Sequence, residues 1–285
     1  MRKLLGLICS LLLLSGCEKE ATNVVPPESK SKIVLYSFIS PQDAFIKVKL
    51  TKSIPFFGTQ QNFYGDFENV VDANVTITNG SQTSTIAYDP NGFEYRLSSL
   101  LFPILPNQTY TLNVIAADGE TISASCKIPG DSIVNVITEV QEITENYTTQ
   151  SKVISKFQDF SGIENYYRAY AQYIIFDTLN LDTNYLDSYD QNLTGDYEKD
   201  GQTIELVNDF LTPINAPQYY YNENSIVKGY DIYLMNIDAN YYKYQNSADN
   251  FGYDDPFREP TPIYTNVVGG LGVFAGYQKT KIQIN

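Results

Sequence analysis

Regular alternation of apolar and polar residues between positions 44 and 52 is the feature that most restricts the fold of this chain. Ile46, Val48 and Leu50 fall on one face of an extended segment. The residues on the opposite face are Lys47, Lys49 and Thr51. A period of two is typical of a β-strand that buries one face and exposes the other. The pattern predicts a strand here, and the β-branched and aromatic run over residues 33–39 predicts another.

Short strand-like runs continue as far as residue 128, and residues typical of tight turns separate them. The turn sequences are Asn79-Gly80, Asp89-Pro90-Asn91-Gly92 and Asp118-Gly119. Asn, Asp and Gly tolerate the positive φ angles that tight hairpin turns require. We therefore predict three hairpins in this region. Short strands separated by turns at such regular spacing favour a β-sandwich.

The segment Pro106–Leu112 resembles the tyrosine-corner strand of immunoglobulin-like domains. In those domains a Tyr hydroxyl forms hydrogen bonds with the backbone of the preceding loop. Tyr110 occupies the corresponding position here. The alternative is an ordinary core strand in which Tyr110 alternates with Leu112 and Val114.

The second half of the chain combines strand-like runs with long polar connections. The runs cover residues 133–137, 166–175, 203–207 and 230–235. The connections 177–200 and 215–225 are rich in Tyr and Asp, and loops of this length are uncommon unless they bind a partner or move. Residues 238–246 favour a short helix with Asp238 as its N-cap. Its three tyrosines at 241, 242 and 244 cannot all face inward on one helical turn.

About 250 residues of folded sequence exceed what one sandwich holds, so two domains are expected. We predict a mainly β protein with an immunoglobulin-like β-sandwich over residues 33–130. A second β-rich domain with long loops and a short helix is predicted over residues 131–285.

The N-terminal segment has the features of a lipoprotein signal peptide. Arg2 and Lys3 precede an apolar run over residues 4–14, which is shorter than the roughly 20 residues that span a bilayer. Leu14-Ser15-Gly16-Cys17 then matches the sequence at which bacterial lipoproteins are cleaved and acylated. We predict a signal peptide over residues 1–16, lipidation of Cys17 and a linker over residues 17–32.

Charge and cysteine content agree with a position outside the cell. The chain has 33 acidic and 19 basic residues, a net charge of −14, and removal of the signal peptide takes away two of the basic ones. Such an acidic surface repels nucleic acid. Cys9 leaves with the signal peptide and Cys17 is acylated, so Cys126 remains alone and is interpreted as a small buried side chain.

Distinctive segments occur toward both ends of the mature chain. At the C-terminal end they are Asp255–Phe257, Pro260–Asn266 and Gly269–Tyr277. At the N-terminal end they are residues 33–40 and 71–77, after the charged triplet at positions 18–20, which resembles an export signal to the cell surface. Together these segments resemble a family of Bacteroidetes outer-membrane lipoproteins known as domain of unknown function 4249. The resemblance implies an outer-membrane protein facing the exterior and associated with TonB-dependent transporters. It implies no catalytic residues.

Catalytic motifs are missing from the sequence. The chain contains no histidine, which excludes Ser-His-Asp and Cys-His catalysis as well as histidine metal sites. The glycines after residue 268 lack the lysine and hydroxyl residue of a phosphate-binding loop. Paired carboxylates of the kind that glycosidases use remain the alternative. We predict a non-enzymatic protein without a cofactor.

One acidic segment has the spacing of a calcium loop. Its oxygen-bearing side chains at alternate positions are Asp190, Asn192, Thr194, Asp196 and Glu198. Gly201 stands where such a loop needs a bidentate Glu. We therefore interpret the segment as a solvated acidic loop, and calcium binding is the alternative.

Tyrosine-rich segments are the predicted recognition surface, because Tyr offers a large amphipathic contact area at low entropic cost. The candidate residues are Tyr185, Tyr189, Tyr197, Tyr219, Tyr220 and Tyr221. The predicted function is that of an accessory lipoprotein beside a TonB-dependent transporter. The alternative is an independent lipoprotein that binds a glycan, a peptide or a host surface.

Overall fold

The computed structural model describes residues 30–54, 68–145, 147–217, 224–251 and 262–285. Within these ranges the chain forms fourteen strands and one helix. The prediction of a mainly β protein with a short helix is confirmed. Cys17, the charged triplet and the linker lie outside the described residues. In the described ranges, no helix combines the length and the apolar character that crossing a bilayer requires.

Seven strands form the first half of the fold. They are β1 (Ile33–Ile39), β2 (Phe45–Lys52), β3 (Asn74–Thr78), β4 (Thr83–Asp89), β5 (Glu94–Ser98), β6 (Thr109–Ile115) and β7 (Thr121–Lys127). The pairs β3–β4, β4–β5 and β6–β7 are antiparallel, so the three hairpins predicted from turn residues are confirmed. In β2, Ile46, Val48 and Leu50 are buried and Lys47 and Lys49 are exposed, as the alternation predicts, whereas Thr51 is buried rather than exposed.

These strands form two layers around one core. The strands follow one another in the order β1-β2-β5-β4-β3-β6-β7 within one eleven-stranded sheet, which folds over at β4 so that β1, β2 and β5 form one layer and β3, β6 and β7 the other. β4 belongs to both layers, because its first half pairs with β3 and its last three residues pair with β5. Leu35, Val48, Tyr95, Leu112 and Cys126 are buried between the layers. Burial raises the pKa of the Cys126 thiol well above its usual value, which keeps the thiol protonated and unreactive.

The second half supplies the remaining elements. They are β8 (Ile137–Glu145), β9 (Thr148–Gln158), β10 (Tyr166–Asp177), β11 (Asp182–Gly195), β12 (Thr203–Leu211), β13 (Ser225–Ile237), the helix α1 (Ala239–Asp249) and β14 (Leu271–Ile284). A layer of β12, β9 and β8 accompanies the layer of β11, β10, β13 and the end of β14. Phe157, Tyr167, Ile204 and Tyr230 belong to one buried cluster between them.

Two sequence expectations for this half need correction. The connection 177–200, predicted as a loop, is largely the strand β11, which pairs antiparallel with β10. β11 lies at the edge of the sheet and carries polar side chains, so it lacks the apolar alternation that identifies a half-buried strand. The run 133–137 was predicted as a strand, but β8 begins only at Ile137.

α1 agrees closely with its prediction. Asp238 is the N-cap, and its carboxylate accepts a hydrogen bond of 2.8 Å from the backbone N–H of Tyr241. Tyr241 is buried, whereas Tyr242 and Tyr244 are half-buried. The three tyrosines therefore do not all face inward, as helical periodicity predicts.

β14 pairs with a different strand along each half of its length. Leu271–Gly276 runs parallel to β1, and Tyr277–Ile284 runs antiparallel to β13. A Cβ atom built on Gly272 would lie 2.1 Å from the carbonyl oxygen of Leu35, and one on Gly276 would lie 2.8 Å from Ile128. The glycines of the C-terminal signature thus permit close approach of β14 to its neighbours. The predicted domain boundary at residue 130 stays a prediction.

We expect Gly272→Ala to destabilise the protein by about 3–5 kcal/mol, because backbone strain adds to steric displacement of β1. Gly80→Ala is the matched control: both glycines have positive φ, +102° and +90°, but a Cβ at position 80 meets no atom within 4 Å. Strain alone predicts a loss of about 1–2 kcal/mol for the control. Urea unfolding measures both values, and equal losses would contradict the close-approach explanation.

Candidate functional site

A groove of about 510 Å³ lies on the outer face of the layer formed by β1, β2 and β5. Tyr277, at the start of the second half of β14, closes one side of the groove. Side chains that line the groove include Tyr36, Asp43, Phe45, Lys47, Lys49, Glu94, Arg96 and Tyr277. Ligand pockets typically have volumes of about 300–1,000 Å³, so the groove is large enough for a small molecule or part of a polymer.

The floor of the groove carries three cations on neighbouring strands. Lys47 and Arg96 lie directly opposite each other across the β2–β5 pair, and Lys49 lies opposite Tyr36. Two carboxylates offset part of this charge, because Lys47 lies 3.3 Å from Glu94 and Arg96 lies 3.7 Å from Asp89. Lys49 is exposed and forms no ion pair with any residue in the described ranges.

Aromatic rings border these cations. The guanidinium carbon of Arg96 lies 3.5 Å from the ring centroid of Phe45, a cation–π contact. On the other side, the hydroxyl of Tyr277 donates a 2.6 Å hydrogen bond to the carboxylate of Asp43. Burial, followed by the charge of Asp43, raises the pKa of Tyr277, so this hydroxyl stays protonated and can donate.

α1 forms a wall beside the groove. The hydroxyl of Tyr244 donates to that of Tyr36 over 2.7 Å, and the two rings meet edge to face. Asp238, which is half-buried, fixes the start of α1. Burial raises the pKa of Asp238 to about 7, and hydrogen bonds from backbone N–H groups offset only part of that effect.

The raised pKa of Asp238 predicts a pH-dependent stability. The native carboxyl keeps its proton up to about pH 7, whereas the unfolded one loses it near pH 4, so the free energy of unfolding falls as pH rises through this window. Relative to Asp238→Asn, which retains an N-cap, wild type should lose about 2 kcal/mol between about pH 4.5 and pH 8. Urea unfolding at both pH values measures the difference.

Asp249→Asn at the exposed opposite end of α1 is the control, and its stability should parallel that of wild type at both pH values. A wild-type profile parallel to that of Asp238→Asn would contradict the assignment of the titration to Asp238.

A second surface feature is the leucine loop, residues 98–107, between β5 and β6. Leu100 is 92% exposed, Leu101 is 76% exposed and Leu105 is 52% exposed, while Phe102 and Ile104 are buried in the core of the first sandwich. Isolated exposed leucines are common, but three on one short loop form an apolar patch. No sequence motif predicted that this loop is exposed, although the apolar run 100–105 is visible in the sequence.

Tyr110 holds the backbone of the leucine loop in place. Its hydroxyl accepts a 2.7 Å hydrogen bond from the N–H of Leu105 and lies 3.2 Å from the carbonyl oxygen of Pro103, to which it donates. Tyr110 itself is fully buried. The predicted tyrosine corner is confirmed, and it fixes the backbone of the leucine loop at Pro103 and Leu105.

We expect Tyr110→Phe to destabilise the protein by about 1–3 kcal/mol, because the N–H of Leu105 loses its acceptor. Amide exchange at Leu105 should become faster at the same time. Tyr147→Phe is the control, since Tyr147 is fully exposed. This substitution should change the free energy of unfolding by no more than about 0.5 kcal/mol. Thermal unfolding and hydrogen exchange measure these effects, and unchanged exchange at Leu105 would contradict the role of the hydroxyl.

The calcium candidates do not occupy a loop. The backbone of residues 190–195 is extended in β11, and a strand advances about 3.3 Å per residue, so the segment does not wrap around one point. Glu198 lies in the following turn. Asp196 is buried beside Asp159 and Asp200, with one oxygen of each carboxylate within 4.8 Å of the others.

Backbone groups already bind all three of these carboxylates. Asp196 accepts from the N–H of Asn165 over 3.0 Å, Asp159 from that of Gly201 over 2.7 Å, and Asp200 from that of Gly162 over 2.7 Å. The cluster therefore ties the turn after β11 to the start of β10. Asn192 and Thr194 do not belong to it.

Of the predicted recognition tyrosines, the structure describes Tyr185, Tyr189 and Tyr197, which lie on β11 or in the turn that follows it. Tyr185 on β11 is 59% exposed and Tyr197 is 66% exposed, with its ring 6.2 Å from that of Tyr166. Tyr189 also lies on β11. Tyr219, Tyr220 and Tyr221 lie outside the described residues, as does the lipidation site Cys17. Neither Tyr185 nor Tyr197 lines the groove.

Comparison with known proteins identifies one family. A family model described as Domain of unknown function (DUF4249) matches residues 19–283. The match covers the groove, the leucine loop and the glycine-rich β14. No curated protein matches the chain.

Proposed function

The chain belongs to the family described as Domain of unknown function (DUF4249), and on this premise we propose that it is a non-enzymatic accessory lipoprotein of a TonB-dependent transporter. Lipid at Cys17 would anchor it to the outer membrane, facing the exterior. The sequence of residues 1–20 supports this location, because it joins a signal peptide to a lipidation site and a charged triplet.

The observation that carries the proposal is the leucine loop. Leu100 and Leu101 hold their apolar side chains in water, while their backbone N–H groups donate hydrogen bonds to the hydroxyl and the carbonyl oxygen of Ser98. Burying a leucine side chain stabilises an interface by about 1.5–3 kcal/mol. A protein partner that covers both leucines therefore gains favourable binding free energy. A fixed loop also loses little conformational entropy when the partner binds.

The composition around the loop also fits an interface. Residues 97–117 contain no Asp, Glu, Lys or Arg, although 18% of the whole chain is charged. The buried centres of protein interfaces are depleted of charged residues. A neutral apolar loop on a chain of net charge −14 therefore favours a protein partner over an anionic lipid surface.

The available chemistry supports the proposal of a non-enzymatic role. With no histidine in the chain, the commonest general base is missing. The three clustered carboxylates at 159, 196 and 200 accept hydrogen bonds from backbone N–H groups and thus have a structural role.

Affinity purification from native outer membranes tests the proposal. We expect wild type to retain a TonB-dependent barrel and the double variant Leu100→Ser/Leu101→Ser to retain at least tenfold less. Leu179→Ser/Leu181→Ser is the matched control, since those leucines are 73% and 74% exposed on another surface. Quantitative mass spectrometry measures barrel recovery. Equal recovery with both double variants, or no barrel with wild type, would refute the proposal.

The groove favours a second candidate function, that of an independent lipoprotein that binds a glycan or a peptide. Its aromatic rings and unpaired Lys49 are suited to ligand binding without a transporter. A free monomer with ligand affinity in the same purification would favour this function.

A further inference from the structure

The groove brings three cations together on a strongly acidic protein. Lys47, Lys49 and Arg96 lie close together on β2 and β5, although acidic residues outnumber basic ones by 33 to 19 in the chain. Glu94 pairs with Lys47 and Asp89 pairs with Arg96, whereas Lys49 has no ion pair among the described residues. An anionic ligand would therefore find its cationic partner in Lys49.

From this charge and the neighbouring rings we propose that the groove binds an oligosaccharide that carries carboxylate groups. The inference deepens the second candidate function and rests on it, while it does not depend on a transporter partner. The ammonium group of Lys49 is available to a carboxylate, because it forms no ion pair with the described residues. Charge-assisted hydrogen bonds of this type are roughly twice as strong as those between neutral groups.

Rings and hydroxyls complete the site. Phe45 and Tyr36 are each 37% exposed, so both offer apolar ring surface to the C–H faces of a sugar. The hydroxyl of Tyr36 accepts from Tyr244 and keeps its own proton for donation to a ligand oxygen. The groove therefore contains apolar surface, a cation and a hydrogen-bond donor within one small area.

A peptide fits this surface less well than a saccharide. One common way to bind an extended peptide is to add it as a strand to a free sheet edge. β1, β2 and β5 each have a paired strand on both sides, so their backbone groups already form ladders. Recognition in the groove must come from side chains alone, which suits the dispersed hydroxyl and carboxylate groups of a sugar.

Isothermal titration calorimetry on the mature chain in detergent tests the inference. The probes are trigalacturonic acid, its methyl ester and a hexaglutamate peptide. We expect binding of trigalacturonic acid, at least tenfold weaker binding of the uncharged ester and no heat from the peptide. The affinity for trigalacturonic acid should fall with added salt, because the carboxylates contribute through charge.

Lys49→Gln should weaken binding of trigalacturonic acid about tenfold. Lys127→Gln removes an exposed lysine from β7, in the other layer of the same sandwich, and should leave affinity unchanged. Absence of heat from trigalacturonic acid, equal affinity of wild type and Lys49→Gln, or tighter binding of hexaglutamate would each overturn the inference. Barrel recovery by the leucine variants is a separate readout, so failure of the transporter proposal is distinguishable.

Discussion

The parallel pairing of β14 with β1 is the interaction on which the rest of the structure depends. Six consecutive residue pairs join Val34–Ile39 to Leu271–Gly276, and β14 then continues against β13. β14 thus pairs with the layer of β1, β2 and β5 and also extends the large sheet of the second half. The pairing requires Gly272, because any larger residue would meet the carbonyl oxygen of Leu35.

The position of the groove depends on β14. Tyr277 stands where β14 changes partner from β1 to β13, and it turns toward Asp43 beside the groove. α1 enters directly after β13 and packs its tyrosines on the same face, so Tyr244 reaches Tyr36. A displaced β14 would therefore separate the aromatic wall from the cations of β2 and β5.

Local features of the fold were predictable from sequence, whereas distant pairings were not. Asn79-Gly80 and Asp118-Gly119 specify hairpins within a few residues, and Tyr110 bonds to a loop five to seven residues away. The pairing of β1 with β14 joins opposite ends of the chain, and no local pattern encodes it. β11 was missed because an edge strand with polar side chains has no apolar period.

Local features of the groove were likewise predictable from sequence, whereas the pairings between distant strands were not. Alternation in β2 placed Lys47 and Lys49 on one face, but the register that brings Arg96 opposite Lys47 belongs to a pairing that sequence patterns do not specify. The prediction that tyrosines of the acidic connection form the recognition surface rested on composition alone. The tyrosines that shape the groove are instead Tyr36, Tyr244 and Tyr277, which come from three separate elements.

The groove and the leucine loop are close neighbours on one sandwich. Ser98, where the loop begins, pairs with Phe45 of the groove, and the N–H of Ser99 donates a 3.0 Å hydrogen bond to the carbonyl oxygen of Ala44. Arg96 precedes Ser98 by two residues on β5, which is about 7 Å along a strand. A partner that covers Leu100 and Leu101 therefore lies beside one end of the groove. Under the proposed function, this proximity would place a ligand bound in the groove beside the transporter surface that covers the leucine loop.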